Sequence, residues 1–546
     1  MQKIFAIILA LCLCFSVTAC APAESPLSSA PASSGDPTTP VETVTLNVWA
    51  IESPSISDYE SNGQSVWMNQ ETGINVNWMA VPQNGWYSAF QASVMGGEDV
   101  HIYCYPFDTM ETEMLGTQMN YILPLEDLIT PENTPNIWAI LEANPSLKSL
   151  ITAPDGHIYT LFANDVYNLM AYTQKLWINR IFLEKYTAET GKGMPETTVE
   201  FEEMLVYFNT HDMNGNGIQD EIPYMGQTGV DGMYNLFGSF LPSNSSGNGY
   251  GCYQDENGET CFAYNQETYK EALAYASNLY AQGLISPDSF SINTNDLYSY
   301  TSGDRNVVRV GVVAGAGIQN VVQLSSAENT MTYDDYVALP PMAGPNGIRT
   351  IVTVGETTVS LRNAITAKCP DPVAAIKWLD AGYSETARMF AVYGGLENID
   401  WKYTDGETIN GSGRVITSLR ENAENACWAG QGISYRVTEE DYLTMDIAQI
   451  STNADLATYR ANLAYRPYAV LNHWPAIVWA GEQTDAATEY SELNSLIGKT
   501  VTEYYTDVIL GRKNLTTDWD TYVQVLEDIG VERFVDLVEL YSISAE

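Results

Sequence analysis

Basic residues are scarce in this chain of 546 residues, which has 24 lysines and arginines against 68 aspartates and glutamates. The formal net charge of −44 disfavours binding to nucleic acid, to anionic lipid surfaces and to polyanionic ligands, because like charges repel. Neutral sugars and cationic solutes remain compatible ligands. A large acidic excess also keeps a secreted protein soluble.

Histidine is rarer still, and the common catalytic motifs are missing. The four histidines are His101, His157, His211 and His473, and no pair of them has metal-ligand spacing. The chain has no G-x-S-x-G motif, no phosphate-binding loop and no CxxC pair. These absences argue against serine hydrolases, phosphate-loop enzymes and zinc sites. Paired carboxylates remain available in so acidic a chain, so a glycosidase stays an alternative.

Cysteines are few and odd in number after Cys20, where Cys104, Cys252, Cys261, Cys369 and Cys427 remain. Cys252 and Cys261 flank Asp255-Glu256-Asn257-Gly258. If these four residues form the loop of a hairpin, the two cysteines face each other and can form a disulfide. If Asn257-Gly258 is instead a two-residue turn, Gln254 faces Cys261 and the cysteines are out of register. The sequence leaves both alternatives open.

The N-terminus carries an export signal. Lys3 precedes an apolar run over residues 4–17, which is too short for a membrane span, and Val17-Thr18-Ala19-Cys20 resembles a bacterial lipobox. We therefore predict that residues 1–20 are a lipoprotein signal peptide and that Cys20 is lipidated; an ordinary secretory signal is the alternative. Residues 21–42, rich in Pro, Ser, Ala and Thr, are predicted to be a flexible tether. The predicted location is the extracellular face of the cell membrane, held by lipid only.

The most informative segment is His211-Asp212-Met213-Asn214-Gly215-Asn216-Gly217-Ile218-Gln219-Asp220-Glu221-Ile222-Pro223. Hard oxygen donors at alternate positions, with a glycine at the sharp turn, are the arrangement that a calcium ion needs. The predicted ligands are the side chains of Asp212, Asn214, Asn216, Asp220 and Glu221 and the carbonyl of Ile218. Because Pro223 replaces the bidentate glutamate of an EF-hand, Asp220 and Glu221 must complete the shell. The alternative is an acidic turn without metal. The predicted Ca²⁺ is structural, since the loop implies no activated water.

Residue patterns predict a parallel sheet with helices on its faces near the start of the mature chain. Strands are predicted at residues 44–50, 74–78 and 100–103, and helices around 65–69 and 86–94. Later predicted elements are an extended segment at 165–172, helices at 176–186, 198–208, 269–282 and 370–381, a buried strand at 307–313 and a mostly helical end over 491–543.

Several short motifs in one order resemble the extracellular solute-binding proteins of ABC importers, in the carbohydrate-binding family 1 group. The motifs are Asp155-Gly156 with Tyr159, Leu176-Trp177-Ile178-Asn179, Pro195-Glu196-Thr197, the helix over 201–208, the loop 212–223, Leu339-Pro340-Pro341 with Gly344-Pro345-Asn346-Gly347, residues 371–380, Tyr393-Gly394 and Trp401. The resemblance spans residues 44–405 and becomes loose after that. It is greatest to long lipoproteins of Gram-positive bacteria that bind oligosaccharides.

The resemblance implies an α/β, two-lobed periplasmic-binding-protein-like fold with a hinge and an interlobe ligand cleft. The implied N-terminal lobe comprises residues 43–165 and 306–365, and the C-terminal lobe with the calcium loop comprises 166–305 and 366–546. Chain crossings between the lobes are implied near residues 163–168, 306–312 and 362–368. The implied partners are an oligosaccharide ligand and the permease subunits of an ABC transporter, and the protein is expected to be a monomer.

Aromatic residues supply the candidates for ligand binding, because sugars stack their C–H faces on aromatic rings. The chain has 12 tryptophans and 35 tyrosines. Trp49, at the end of the first predicted strand, is placed where ligands bind beyond the carboxyl ends of parallel strands. The other candidates are Trp86, Tyr167, Trp428 and Trp474, with Asp165 as a hydrogen-bond acceptor for hydroxyls. The alternative is that the tryptophans fill the core and that Asp165 lies in a solvated turn.

The sequence therefore predicts a membrane-tethered receptor, not an enzyme, that captures an oligosaccharide by lobe closure and delivers it to a permease. A receptor for peptides or other solutes is the first alternative, and it predicts paired charges in the cleft. A secreted glycoside hydrolase is the second, and it predicts two carboxylates about 5–10 Å apart.

Overall fold

The structure is a computed structural model of the chain. It describes residues 44–53, 56–153, 155–165, 169–172, 175–228, 233–242, 250–255, 257–324, 330–352, 358–395, 397–419, 439–470 and 484–541. The predicted signal peptide, Cys20 and the tether lie outside these residues. None of the helices in the described part of the chain combines the length and the apolar composition required to cross a membrane.

The described elements alternate between short strands and longer helices. In chain order the strands are β1 (Thr45–Ile51), β2 (Asn75–Val81), β3 (Ile102–Cys104), β4 (Leu161–Asp165), β5 (Lys175–Asn179), β6 (Ile222–Met225), β7 (Cys252–Gln254), β8 (Thr260–Phe262), β9 (Val310–Gly315), β10 (Tyr336–Leu339), β11 (Ile351–Val352), β12 (Thr358–Arg362), β13 (Ala364–Ile365), β14 (Trp401–Asp405), β15 (Arg414–Ser418) and β16 (Ala469–Val470). The α-helices are α1 (Gly63–Thr72), α2 (Trp86–Gly96), α3 (Thr109–Glu113), α4 (Pro135–Ala143), α5 (Pro145–Ile151), α6 (Arg180–Thr190), α7 (Thr198–Thr210), α8 (Tyr234–Phe237), α9 (Glu267–Ala281), α10 (Thr294–Thr301), α11 (Pro372–Ala381), α12 (Glu385–Tyr393), α13 (Glu439–Leu443), α14 (Ala454–Tyr465), α15 (Thr484–Ile509), α16 (Leu515–Ile529) and α17 (Val531–Tyr541).

The first sheet has the strand order β13-β3-β1-β2, in which β1 runs parallel to both of its neighbours, β2 and β3. β1 is central, so both of its faces are covered: Leu46 and Val48 face one apolar cluster and Trp49 faces another. The antiparallel strand β13 completes one edge. This sheet and the helices packed on it, including α1, α4 and α11, are called the first lobe.

The second sheet has the order β10-β5-β9-β6, in which β5 runs antiparallel to both of its neighbours and β6 runs parallel to β9. Apolar clusters cover its two faces, and the C-terminal helices α15, α16 and α17 contribute to the larger of them. This sheet and its helices are called the second lobe. The predicted helical C-terminus is confirmed. Helices α15 and α16 pack against α9, and α17 packs against β8.

The chain passes between the lobes through an antiparallel ribbon of β4 and β12, in which Leu161 pairs with Arg362 and Asp165 with Thr358. Leu161 and Phe162 belong to the core of the first lobe. The chain that follows β4 enters β5 of the second sheet, and the chain that follows β12 enters β13 of the first sheet. Of the crossing predicted near residues 163–168, residues 163–165 lie at the end of β4 and residues 166–168 are outside the described ranges. Most of the range 362–368 follows the ribbon and lies in the first lobe, where Ala364 and Ile365 form β13.

The predicted assignment of segments to lobes is wrong in two places. β9 and β10, which lie within residues 306–365, pair with β5 and belong to the second sheet. The predicted crossing at 306–312 is therefore not a crossing. Conversely, α11, which the predicted division places in the C-terminal lobe, packs in the first lobe, where Trp378 and Leu379 are buried. Strand pairing over long sequence separation decides these assignments, and local residue patterns do not contain it.

Most of the locally predicted elements are confirmed, including the helices at 198–208, 269–282 and 370–381. The helix predicted at 176–186 is wrong at its start, because residues up to Asn179 form β5. The Asn179 carboxamide then accepts a hydrogen bond from the Ile181 N–H and caps α6. The buried pairing of β5 with two neighbours outweighs the helical pattern of its residues.

The hairpin that carries Cys252 and Cys261 has neither of the two predicted registers. Tyr253 pairs with Cys261 and Cys252 pairs with Phe262, and the loop spans residues 255–259. Because successive residues of a strand point to opposite faces, the two sulfurs lie on opposite faces of the hairpin. The two cysteines therefore do not form a disulfide with each other.

Lys175, the first residue of β5, is a completely buried lysine. Its ammonium donates hydrogen bonds to the carbonyl oxygens of Tyr172 and, at 2.8 Å, Ala316. Burial disfavours the charged form and lowers the pKa of Lys175 to about 7. The unfolded chain therefore binds more protons at this residue than the folded chain does between pH about 7 and the ordinary lysine value of 10.5.

Raising the pH from about 7 to about 9 is expected to stabilise the wild type relative to Lys175→Met by about 1 kcal/mol or more, because the cost of burying the ammonium disappears as it deprotonates. Urea unfolding of both proteins at each pH measures the difference. A difference in unfolding free energy that stays constant across this range would contradict the expectation.

Candidate functional site

Three loops follow the carboxyl ends of β1, β2 and β3 and therefore lie along one edge of the first sheet. They begin at Glu52, Pro82 and Tyr105, and the second and third lead into α2 and α3. In open α/β folds, ligands bind beyond the carboxyl ends of the strands. We call this edge, made of residues 52, 82–87 and 105–111, the first-lobe edge.

Two aromatic side chains stand at the N-terminus of α2 on the first-lobe edge. Gly85, with φ of 83°, turns the chain so that α2 begins at Trp86. The half-buried Trp86 ring lies 5.3 Å from the ring of Tyr105 and 5.5 Å from that of Tyr87. Tyr87 is 44% exposed, an unusual exposure for a large aromatic residue. Together the two rings offer an apolar surface to a ligand.

A buried carboxylate supports this aromatic surface. Glu111, 8% exposed, accepts hydrogen bonds from the Tyr105 hydroxyl and, at 3.3 Å, from the Asp108 N–H. Its own N–H donates to the Asp108 carboxylate at 2.6 Å. Hydrogen bonding to Glu111 raises the pKa of Tyr87, and burial followed by the same carboxylate raises the pKa of Tyr105. Glu111 thus fixes the orientation of the Tyr105 hydroxyl and disfavours ionisation of both tyrosines.

The corresponding edge of the second lobe lies beyond the carboxyl ends of β6 and β9, which run parallel. Gln227, after β6, donates to the Ala314 carbonyl at 2.8 Å and accepts from the Thr294 hydroxyl at 2.7 Å. After β9, the Asn320 carboxamide accepts from the Gly317 N–H at 3.0 Å. These polar side chains order the turn at residues 315–320 rather than pointing free into solvent.

The structure separates the predicted ligand-binding residues. Trp49 is only 1% exposed and packs against Phe90, Tyr103 and Tyr105. Its assignment to the ligand surface is wrong, because β1 is central and both of its faces are covered. Trp86 does lie on the first-lobe edge, and its role stays a prediction. Tyr167, Trp428, Trp474 and the side chain of Asp165 lie outside the described residues.

The loop at residues 212–221, between α7 and β6, wraps around its own acceptor side chains. The Asp212 carboxylate accepts from the N–H groups of Gly215, Asn216 and Gly217 at 2.8–3.1 Å. Asn214 accepts from the Asn216 N–H at 2.9 Å, and Asn216 accepts from the Ile218 N–H at 2.7 Å. Gly217 has φ of 81°, which confirms the predicted sharp turn at this glycine.

The remaining predicted ligands close the same loop. Glu221 is 9% exposed, and its carboxylate accepts from the N–H groups of Met213 and Asp220 at 2.5 and 3.2 Å. Asp220 accepts from the Asn216 carboxamide at 3.3 Å. The Arg309 guanidinium lies 3.5 Å from the other side of Asp220. All five predicted side chains therefore belong to one hydrogen-bonded unit.

Within the described ranges there is no group of three or more histidine, cysteine, aspartate or glutamate side chains arranged to hold a metal ion. The loop at 212–221 supplies three carboxylates of its own, and its other donors are the amides of Asn214 and Asn216 and a main-chain carbonyl. Every one of these donors is a hard oxygen atom, the type that calcium prefers and that softer metals do not. The donor set therefore fits calcium among the metals.

Proteins with sequences similar to this chain include a substrate-binding protein and a lipoprotein. No family model matches the chain. The fructooligosaccharide ABC transporter substrate-binding protein FusA of Streptococcus pneumoniae is 25% identical over 501 residues, which cover 87% of this chain and 85% of FusA. Lipoprotein LipO of Bacillus subtilis is 23% identical over 322 residues, 57% of this chain and 60% of LipO.

Solved structures show the same fold over almost the whole chain. A structure of an EF-hand mutant of FusA in complex with fructo-nystose superposes with a TM-score of 0.62 at 21% identity, covering 91% of this chain and 98% of FusA. A solute-binding protein from Bifidobacterium longum infantis, described as HMO-binding and ABC-transporter-associated, superposes with a TM-score of 0.69 at 18% identity, covering 92% and 98%.

These likenesses confirm the resemblance that the sequence motifs indicated. The chain is similar in sequence to a substrate-binding protein of a carbohydrate ABC transporter, and it shares the two-lobed α/β fold of such solute-binding proteins. FusA is described as a substrate-binding protein of an ABC transporter for fructooligosaccharides.

Substituting Glu111 by Ala is expected to lower the free energy of unfolding by about 2 kcal/mol, because the Tyr105 hydroxyl and the Asp108 N–H lose a buried charged acceptor. Glu113→Ala, on the same short helix, is the matched control and is expected to change it by about 0.5 kcal/mol or less. Urea unfolding measures both. Equal effects of the two substitutions would show that Glu111 does not support the aromatic surface.

Proposed function

We propose that this protein is the substrate-binding component of an ABC importer, which captures an oligosaccharide between its two lobes and delivers it to membrane permease subunits. Capture involves no bond breaking, so the residues of the site bind and orient the ligand only. The observation that carries this proposal is the aromatic surface of Trp86 and Tyr87 at the first-lobe edge, in a fold shared with oligosaccharide-binding proteins.

The chemistry of the first-lobe edge suits a neutral sugar. The exposed Tyr87 ring and the half-buried Trp86 ring provide stacking surface for a C–H face of a pyranose or furanose. Asp108 and the main chain of the 105–111 loop supply acceptors and donors close by for the hydroxyl rim. The net charge of −44 disfavours an anionic oligosaccharide. A neutral oligosaccharide is therefore the proposed ligand class.

We place the protein on the extracellular face of the membrane through a lipid on Cys20, with residues 21–42 as its tether. The lipobox-like Val17-Thr18-Ala19-Cys20 and the lipoprotein LipO among the relatives support this anchor. The expected oligomeric state is a monomer, since two lobes of one chain provide both sides of the cleft.

We further propose that the loop at 212–221 binds a structural Ca²⁺ through Asp212, Asn214, Asn216, Asp220, Glu221 and the carbonyl of Ile218. The support is the set of oxygen donors in one turn, together with the EF-hand named for FusA. The ion would neutralise three carboxylates that otherwise lie within one short loop, and it would join the end of α7 to β6 in the second lobe.

A ligand screen separates the candidate functions. The purified protein is mixed with kestose, other neutral oligosaccharides and a peptide library, and thermal shift followed by calorimetry measures binding. Each hit is then incubated and analysed for cleavage products. Binding of an intact sugar supports the proposal, binding of peptides alone favours a peptide receptor, and accumulation of shortened sugar indicates a glycoside hydrolase.

Replacing Tyr87 by Ala is expected to weaken binding of the oligosaccharide hit about tenfold, because one stacking ring is lost. Tyr300→Ala is the matched control, since Tyr300 lies beside Arg309 at the opposite end of β9. Calorimetry measures both dissociation constants, and far-UV circular dichroism verifies the fold. An unchanged affinity for Tyr87→Ala would remove the aromatic surface from the site.

Removal of calcium by a chelator is expected to lower the melting temperature by ~3 °C or more, because an ion bound only to the folded state stabilises it. Asp212→Ala is expected to melt at the lower temperature with or without chelator. Asp255→Ala is the control, because Asp255 accepts similar main-chain hydrogen bonds in the hairpin loop at 255–259. If chelation changes the melting temperature of neither the wild type nor Asp255→Ala, and elemental analysis finds no calcium, the loop is an acidic turn only.

A further inference from the structure

The last helix of the first lobe, α12, is held firmly to that lobe. Phe390 stacks on Trp67 of α1 with a centroid distance of 5.2 Å and an interplanar angle of 27°. Ala387 and Phe390 are 1% and 8% exposed, and Ser384 caps the start of the helix at the Ala387 N–H. We therefore treat α12 as part of the first lobe and expect it to move with that lobe.

The short helix α13 is held equally firmly to α14. Tyr442 stacks on Tyr459 with a centroid distance of 5.0 Å and an interplanar angle of 18°. Glu439 accepts from the Tyr459 hydroxyl at 2.8 Å and pairs with Arg466 at 2.6 Å. These contacts make α13 and α14 one packed unit.

The unit of α13 and α14 is fixed to the second sheet. The Thr458 hydroxyl accepts from the Ile318 N–H at 3.1 Å, in the turn that follows β9. Arg460 pairs with Asp334, just before β10, at 2.7 Å. Leu456 and Ala461 join the apolar cluster on one face of the sheet. The unit therefore belongs to the second lobe.

An arginine of α12 joins these two bodies, in addition to the hairpin of β14 and β15, in which Glu407 and Asn410 hydrogen-bond to the main chain of Ile447 and Leu443. The Arg388 guanidinium on α12 donates to the Asp441 carboxylate on α13, and it also forms a two-pronged pair with Glu385 at 2.5 and 2.9 Å. The side chains of Arg388 and Asp441 are only 14% and 7% exposed. Water screens such a pair little, and the planar guanidinium holds both carboxylates in a defined direction.

We propose that the Arg388–Asp441 ion pair is an interlobe latch that sets the resting position of the two lobes. Because α12 belongs to the first lobe and α13 to the second, closure of the lobes changes the distance between the two helices and therefore the geometry of the ion pair. The energy of this pair therefore enters the equilibrium between open and closed states, and with it the ligand affinity. The affinity consequence rests on the proposed function, whereas the position of the lobes in the free protein does not.

The test compares Asp441→Asn with the wild type and with Glu489→Gln. Glu489 forms a two-pronged pair with Arg533 at 3.0 and 2.8 Å between α15 and α17, which lie in the same lobe. Small-angle scattering of the ligand-free proteins measures the radius of gyration, and calorimetry measures kestose affinity. The radius of gyration and the dissociation constant are expected to change for Asp441→Asn, the latter about threefold or more, and to stay at the wild-type values for Glu489→Gln.

Arg388→Lys provides a second variant, because it keeps the positive charge but cannot hold Asp441 and Glu385 in the same planar arrangement. It is expected to shift both readouts in the same direction as Asp441→Asn. If both variants fold, melt at a lower temperature and keep the wild-type radius of gyration, the pair is a packing contact and the latch is refuted. If the wild type does not bind kestose, the radii of gyration of the ligand-free wild type and variants alone decide whether the ion pair is a latch.

Discussion

The parallel register of β1 with β2 and β3 is the constraint on which the ligand-facing half of this molecule depends. Thr45 opposite Asn75 and Val48 opposite Ile102 bring the ends of the three strands to one edge. Loops that are far apart in sequence, at 82–87 and 105–111, therefore become neighbours. Without this register Trp86, Tyr87 and Glu111 would have no common surface. The second lobe repeats the principle with only β6 and β9 parallel, so its edge is built mainly from a main-chain turn.

Local patterns in the sequence predict much of the secondary structure, because amphipathic periodicity and helix caps are properties of short segments. The helix at 198–210 is an example, since Thr197 and Glu200 form a capping box that is visible in the sequence. The 176–186 segment shows the limit: its first residues form a buried strand whose two neighbours in the sheet, β9 and β10, lie more than a hundred residues away. The assignment of β9 and α11 to lobes fails for the same reason.

The candidate site divides along the same line. The oxygen-rich loop at 212–221 is encoded in consecutive residues, and the structure brings its predicted side chains into one hydrogen-bonded unit. The ligand surface is not local. Trp49 lies at the carboxyl end of a parallel strand, where ligands of α/β folds bind. Its side chain is nevertheless covered by residues of α2 and β3, and the sequence of β1 alone does not show this. Tyr87 and Glu111 were missed, because an exposed tyrosine and a buried glutamate carry no distinguishing signal until the fold brings them together.

The ribbon of β4 and β12 has a consequence for how this chain tolerates changes of length. Five pairs of residues, from Leu161 with Arg362 to Asp165 with Thr358, join the two passages of the backbone side by side. Adding or deleting one residue in either strand would turn every following side chain to the opposite face and expose Leu361 or Phe162. Insertions should accumulate instead in exposed turns within one lobe, such as residues 511–513 between α15 and α16, and a reporter domain spliced there would leave the connection between the lobes intact.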